Sequence, residues 1–172
     1  MSEFIFILGG ARSGKSAYAL SLAKERSRKA LYIATAEAND AEMKSRISKH
    51  KASRPKYWNT VDEPLDLIAA LKKQKHKYEV IIIDCLTLYL SNLMHKGLKQ
   101  AAIIKIIKEA ASYIKAMKET VIVISNEVGL GIVPENKLAR EFRDISGLSN
   151  QIMAKEADGV VFIQAGIALK LK

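Results

Sequence analysis

The residues with the clearest chemical potential form one glycine-rich segment near the N-terminus: Gly9, Gly10, Ala11, Arg12, Ser13, Gly14, Lys15 and Ser16. The segment fits the pattern G-x-x-x-x-G-K-[ST], whose backbone amides surround the phosphates of a nucleotide. In that arrangement Lys15 reaches the β- and γ-phosphates, and the Ser16 hydroxyl ligates Mg²⁺. The pattern therefore predicts binding of a nucleoside triphosphate together with Mg²⁺.

Two carboxylates follow apolar runs and are candidates for the same site. Asp84 ends the run Val80, Ile81, Ile82 and Ile83. A strand-end carboxylate of this kind binds the nucleotide Mg²⁺ directly or through water, accepts a proton from a substrate hydroxyl, or caps a turn. Glu127 follows Ile124 in a similar way, and it either polarises an attacking hydroxyl or pairs with a surface lysine. The residues alone leave these alternatives open.

The three histidines differ mainly in their neighbours. His76 and His95 lie in stretches that we expect to be solvated. His50 stands among basic residues that would hold phosphates against an imidazole nucleophile, namely Arg46, Lys49, Lys51 and Arg54. From the residues alone, a surface histidine is the simpler interpretation of His50. The single cysteine, Cys85, is expected to be a small buried residue and not a nucleophile.

Short apolar runs alternate with amphipathic stretches along the chain, a pattern that predicts strands alternating with helices. The predicted strands are residues 4–8, 29–35, 79–84, 120–125 and 159–163, with a short extended piece at 57–60. The predicted helices are residues 15–29, 40–51 with Asp40 as N-cap, 63–75, 86–94, 101–118 and 137–157, the last weakened at Gly147. Residues 126–134 are expected to form a loop.

This order predicts an α/β fold with a mainly parallel central sheet flanked by helices. Residues 167–172 alternate apolar and lysine side chains, which indicates a C-terminal antiparallel edge strand with its lysines facing water. The strand, glycine loop and helix at residues 4–23 give the nucleotide-binding pattern its required context. We therefore expect residues 1–172 to form one P-loop nucleotide-binding domain, which the family resemblance given below makes a transferase domain.

Composition limits the possible settings of the protein. Hydrophobic residues make up 49% of the chain, and no run approaches 18 apolar residues, so we expect no transmembrane helix. The N-terminus has no basic region followed by a cleavable apolar stretch, and residues 4–8 fit a strand better, so we expect no signal peptide. One cysteine fits a reducing cytoplasm. The net charge of +10 invites a nucleic-acid-binding ATPase module. The lysines are dispersed, however, and aromatics are only 6%, so a solvated lysine-rich surface is the preferred interpretation and no nucleic-acid partner is expected.

Several stretches together resemble one family over nearly the whole chain, the bifunctional adenosylcobinamide kinase / adenosylcobinamide-phosphate guanylyltransferases of cobalamin biosynthesis. The glycine segment is shared by many enzymes, whereas the stretch 126–136 joined to Phe142, Arg143 and Asp144 is far more specific. The other matching stretches are residues 32–36, 42–43, 50–51, 54–55, 58, 60 and 84–87.

The resemblance implies two reactions: phosphorylation of the aminopropanol hydroxyl of adenosylcobinamide by ATP or GTP, then transfer of GMP from GTP to that phosphate. It implies a P-loop α/β fold, Mg²⁺, a corrinoid substrate and a homotrimer. A P-loop kinase of another small alcohol, without a covalent intermediate, is the alternative from the residues alone.

The resemblance also assigns roles by position. It implies a covalent GMP-histidine intermediate at His50, the one candidate here because Lys49 replaces the histidine that precedes it in some relatives. Mg²⁺ would be held by Ser16 and Asp84. Asp62 stands where a glutamate is common in the family. Beyond residues 9–16, the implied nucleotide contacts are Ala34, Thr35, Ala36, Lys51, Ala52, Ser53, Arg54, Asp62 and Asp84.

Overall fold

The fold, seen in a computed structural model, has its strands joined in one seven-stranded sheet. The structure describes residues 2–38, 41–52 and 54–172. The strands are β1 Phe4–Gly9, β2 Ala30–Ala34, β3 Asn59–Asp62, β4 Val80–Asp84, β5 Thr120–Ile124, β6 Gly159–Gln164 and β7 Ile167–Lys170. The helices are α1 Lys15–Arg26, α2 Ala41–Ala52, α3 Leu67–Gln74, α4 Leu86–His95, α5 Gln100–Lys115 and α6 Lys137–Glu156.

The sheet has the strand order β3-β2-β4-β5-β1-β6-β7. Every neighbouring pair is parallel except β6 and β7, which run antiparallel at one edge. The predicted α/β class, mainly parallel sheet and antiparallel C-terminal edge strand are confirmed. Because β1 lies between β5 and β6, the carboxyl ends of these strands and of β4 open onto the glycine loop that follows β1.

The central strands β1, β2, β4 and β5 are buried on both faces, as expected when helices cover a parallel sheet. On one face the strand residues Phe4, Phe6 and Leu8 pack with side chains of α3, α4, α5 and α6. On the other face Ile5 and Ile7 pack with α1. Burial on both sides explains why the central strands are continuous apolar runs and not alternating ones. Within the described residues, no helix is both long and apolar enough to cross a membrane.

Several helix ends differ from the predicted ones for local reasons. Helix α3 begins at Leu67 and not at residue 63, because the Asp66 carboxylate accepts a hydrogen bond from the amide of Ala69 and caps the helix there. Glu63 instead accepts hydrogen bonds from the amides of Leu65 and Asp66. Helix α1 ends at Arg26, three residues early, and α6 continues through Gly147 without a break. The predicted cap Asp40 lies outside the described residues.

The edge strand β7 departs from the predicted pattern. Lys170 faces water as expected, but Ile167 and Leu169 are also exposed, at 64% and 46% of their surface. Alternation of apolar and polar residues along a strand predicts that the apolar face is covered. Among the described residues, none covers the apolar face of β7. The expectation that the lysines face water is confirmed for Lys170, and the apolar side chains of the strand are exposed as well.

Asp158, the residue before β6, ties the start of β1 to α5. One carboxylate oxygen accepts a hydrogen bond from the amide of Phe4 at 2.9 Å, and the other pairs with Lys115. The hydrogen bond from Lys115, followed by that from the Phe4 amide, lowers the pKa of Asp158 below its ordinary value. Both contacts favour the ionised carboxylate in the folded state.

We expect Asp158→Asn to lower the free energy of unfolding at neutral pH, by less than about 1 kcal/mol because the pair is partly exposed. A group whose folded pKa is depressed contributes stability above its unfolded pKa of about 3.9, and this contribution fades as pH falls through the folded value. The difference between wild type and variant in urea unfolding should thus be equal at pH 7 and pH 5 and shrink below pH 4. A difference that grows towards acid pH would contradict this assignment.

Candidate active site

The glycine loop between β1 and α1 requires glycine at two positions because of its backbone conformation. Gly9 has φ +155°, and a Cβ there would lie 2.3 Å from the carbonyl oxygen of Ile163 and 2.7 Å from Ser13 Oγ. Gly14 has φ +100° and forms the N-cap of α1. The turn after β6 anchors the loop, because the Gly166 amide donates to the Ser13 carbonyl at 2.9 Å. The loop is thus held open at the N-terminus of α1, where backbone amides favour an anion.

Lys15 lies across this loop. Lys15 is only 7% exposed. Its ammonium donates to the Gly10 carbonyl at 2.6 Å and lies 3.5 Å from Ser13 Oγ. A cation held against the loop that would carry the phosphates can neutralise their charge. The structure thus places the Lys15 ammonium against the loop, and its role towards phosphates stays a prediction.

Ser16 and Asp84 meet at the mouth of the loop. Ser16 Oγ donates to Asp84 Oδ2 at 3.0 Å, although the two residues are 68 positions apart in the chain. Both offer oxygen, the ligand that Mg²⁺ prefers, and Mg²⁺ takes one or two protein ligands when phosphates and water complete its shell. These residues fit the predicted Mg²⁺ site.

Tyr32 reaches the same carboxylate, and sequence reasoning missed it. It is buried in β2, and its hydroxyl donates to Asp84 Oδ2. The guanidinium of Arg54 lies 3.6 Å from the centre of the Tyr32 ring. Burial, and then the negative charge of Asp84, raise the pKa of Tyr32 far above its ordinary value, so the hydroxyl keeps its proton. A tyrosine within an aliphatic strand was the available signal, because a buried hydroxyl needs a partner.

A cavity of about 690 Å³ joins these groups to α2. Met43, Ile47 and His50 line it from that helix, and their spacing of four and then three residues places them on one helical face. His50 is half-buried there. The other lining residues are Arg12, Ser13, Gly14, Lys15, Ser16, Ala17, Tyr32, Ala34, Ala36, Ser45, Arg54, Asp84, Cys85, Leu88, Ile124 and Asn126.

The remaining predicted contacts that the structure describes lie outside the cavity wall. Thr35 is buried, and its hydroxyl donates to the Cys85 carbonyl at 2.7 Å and accepts from the Cys85 amide at 2.8 Å, so it braces the end of β4. Lys51 pairs with Asp62 at 2.9 Å. Ser53 lies outside the described residues. The others that do not line the cavity are Gly9, Gly10, Ala11 and Ala52.

Cys85 forms part of the wall without reactive character. It is buried, and burial followed by the nearby charge of Asp84 raises the pKa of its thiol to about 12. The nucleophile in cysteine chemistry is the thiolate, which this pKa suppresses at neutral pH. The expectation that Cys85 is a buried residue is confirmed.

Glu127 is held beside the cavity by its own loop. Its amide donates to the Gly9 carbonyl at 3.0 Å, and its carboxylate accepts from the Gly129 amide at 2.7 Å. Asn150 of α6, buried, brings its side-chain amide within 3.5 Å of the same carboxylate. Glu127 therefore braces the segment after β5 against the start of the glycine loop, whereas Asn126 next to it lines the cavity.

A glycine loop that closes β1 onto α1, a lysine across it, and a serine–aspartate pair at its mouth define a P-loop nucleotide-binding enzyme. The family model of cobinamide kinase / cobinamide phosphate guanyltransferase matches residues 5–171. The chain belongs to this family.

Characterised proteins of the same kind are similar over almost their whole length. The bifunctional adenosylcobalamin biosynthesis protein CobP of Pseudomonas aeruginosa is 41% identical over 169 residues, covering 96% of this chain and 95% of its own. The corresponding protein CobU of Escherichia coli is 39% identical, covering 98% and 99%. Among solved structures, one ATPase domain covers 93% of this chain and 68% of its own with a TM-score of 0.49 and 16% identity, a similarity too distant to bear on function.

Proposed function

We propose that the protein phosphorylates the aminopropanol hydroxyl of adenosylcobinamide with ATP or GTP and then transfers GMP from GTP to the resulting phosphate. The observation that carries this proposal is that one cavity holds both the phosphate loop with Lys15 and the helix face with His50. A kinase requires only the phosphate loop, whereas a histidine that lines the same cavity could act as the nucleophile of a second, nucleotidyl-transfer reaction.

In the first transfer, the substrate hydroxyl oxygen attacks the γ-phosphorus, the bond from that phosphorus to the β–γ bridging oxygen breaks, and the hydroxyl proton passes to solvent. Phosphoryl transfer depends on positioning and charge neutralisation, which Lys15, Arg12 and the loop amides supply. Ser16 and Asp84 would hold Mg²⁺, which neutralises charge on the β- and γ-phosphates when bound.

In the second transfer, an imidazole nitrogen of His50 attacks the α-phosphorus of GTP and pyrophosphate leaves. A phosphate oxygen of adenosylcobinamide phosphate then attacks the GMP phosphorus, the phosphorus–nitrogen bond breaks, and adenosylcobinamide-GDP is formed. The covalent intermediate divides one difficult displacement into two easier ones. The guanine nucleotide would contact residues around α2 and β3, including Lys51, Ala52, Ser53, Arg54 and Asp62.

The test is a product assay on the purified protein. With adenosylcobinamide, Mg²⁺ and ATP alone or GTP alone, mass spectrometry should detect adenosylcobinamide phosphate with at least one nucleotide, and adenosylcobinamide-GDP only when GTP is present. Chelation of Mg²⁺ should abolish both products. Nucleotide hydrolysis without any corrinoid product would contradict the proposed substrate and favour a kinase of another alcohol.

We further propose that the protein acts in the cytoplasm as a homotrimer. The homotrimer is supported by exposed apolar side chains in two places. In the segment between β5 and α6, Ile132 is 96% exposed, and apolar side chains of β7 are exposed as well. Exposed apolar clusters of this kind mark contacts between chains. Sedimentation equilibrium should return three times the chain mass of 19.0 kDa, and a monomeric mass at micromolar concentration would contradict the trimer.

A further inference from the structure

Tyr32 and Asp84 are brought together by the pairing of two parallel strands. In the register of β2 and β4, Tyr32 lies opposite Ile82 and Ala34 lies opposite Asp84. Side chains two positions apart on neighbouring strands point to the same face of a sheet and lie within reach of a long aromatic side chain. The Tyr32 hydroxyl therefore reaches the Asp84 carboxylate at the end of β4 along the face of the sheet that the two side chains share.

The same carboxylate oxygen serves two donors. Asp84 Oδ2 accepts from the Tyr32 hydroxyl and, at 3.0 Å, from Ser16 Oγ. A carboxylate on the last residue of a strand has two rotatable bonds and an open side towards the cavity. Two donors converging on one oxygen fix the orientation of the carboxylate, and neither of them uses Oδ1.

The tyrosine is itself held in place by Arg54. The guanidinium stacks on the Tyr32 ring at 3.6 Å, and its Nη1 donates to Thr60 Oγ1 of β3 at 3.4 Å. Within the described residues, the Arg54 Nε is buried and has no hydrogen-bond partner, so stacking on the ring is a principal contact of this group. Arg54 lies two residues beyond the end of α2, the helix that carries His50.

We propose that Tyr32 is a positioning residue, whose hydroxyl orients the Asp84 carboxylate beside Ser16 to receive the Mg²⁺ of the bound nucleotide. Arg54 clamps the Tyr32 ring and so connects the end of α2 to that carboxylate. This rests on the proposed function only in requiring that a nucleotide with Mg²⁺ occupies the cavity. It adds a residue of β2 that acts through the carboxylate and takes no part in the bond changes of either transfer.

The decisive variant is Tyr32→Phe, which keeps the ring under Arg54 and removes only the hydroxyl. The measurement is equilibrium binding of a fluorescent GTP analogue, titrated in EDTA and across a range of Mg²⁺ concentrations. We expect affinity in EDTA to change less than twofold, affinity at saturating Mg²⁺ to fall roughly tenfold, and the half-saturating Mg²⁺ concentration to rise by a similar factor, as fits a lost hydrogen bond to a charged group.

Tyr89→Phe is the matched control. Tyr89 is also buried, and its hydroxyl donates to the Leu65 carbonyl at 3.2 Å, away from the cavity. Its removal should leave the Mg²⁺ dependence unchanged. An equal effect in Tyr89→Phe, or an unchanged Mg²⁺ dependence in Tyr32→Phe, would overturn the proposal, as would a wild type whose affinity ignores Mg²⁺.

A double-mutant cycle with Asp84→Asn separates positioning from general loss of structure. If Tyr32 acts through Asp84, Tyr32→Phe should add less than twofold to the binding defect of Asp84→Asn, and additive effects would refute the assignment. Nucleotide binding requires no corrinoid, so failure of the proposed corrinoid chemistry would leave this result intact.

Discussion

We expect His50→Ala to abolish transfer of label from GTP carrying ³²P at the α-phosphate onto the protein. In the wild type the label should be stable in base and labile in acid, as a phosphorus–nitrogen bond to histidine is. The expected loss is complete, because removal of the imidazole removes the only atom to which GMP would be bound. Formation of adenosylcobinamide-GDP should fall by at least about a thousandfold, the scale seen when a catalytic nucleophile is deleted.

The kinase reaction should survive in the same variant. His50 lies on α2, whereas Lys15, Ser16 and Asp84 belong to the glycine loop and β4, so phosphorylation of adenosylcobinamide should change by less than about tenfold. His95→Ala is the matched control, since it makes the same substitution at an exposed histidine that does not line the cavity. Label that persists in His50→Ala would remove this residue from the role, and label lost in His95→Ala would point to a general defect.

The contrast between the glycine loop and its surroundings shows what could be predicted from this sequence. The loop is a local pattern, in which Gly9, Gly14, Lys15 and Ser16 lie within eight consecutive residues, and its neighbours are a strand and a helix of ordinary apolar spacing. The residue types of the loop and the apolar spacing of its neighbours were enough to predict the position of the loop between β1 and α1. The parallel sheet followed from the alternation of buried strands with helices.

Tyr32 could not be placed in the same way, because its partner is 52 residues away and meets it only through the register of β2 with β4. The residues alone did not separate His50 from a surface histidine either. The basic neighbours of His50 fitted either a phosphate site or a charged surface, whereas in the structure Met43 and Ile47 lie with His50 on a helix face that lines the cavity. For β7 the alternating pattern correctly predicted a strand. The sequence of one chain could not show whether a second chain covers Ile167 and Leu169, because that depends on the assembly.

The second large effect is expected from Lys15→Ala, which should impair both transfers. In contrast to His50, Lys15 belongs to the loop that would hold the triphosphate whichever phosphorus is attacked. Its ammonium lies against the Gly10 carbonyl at 2.6 Å and is largely shielded from water, so its charge acts on the phosphates with little screening. Removing one such preorganised charge costs on the order of a hundred- to a thousandfold in turnover.

The two variants together test whether one loop serves two reactions. Lys15→Ala should lower corrinoid phosphorylation, corrinoid guanylylation and labelling of His50, whereas His50→Ala should lower only the last two. Lys24→Ala is the control, because Lys24 is an exposed lysine of the same helix that does not line the cavity. Circular dichroism should show the native fold in each variant. If Lys15→Ala were to retain near-normal labelling of His50 while losing only the kinase, GTP would have to bind for the second transfer without this loop, and the two reactions would need separate phosphate sites.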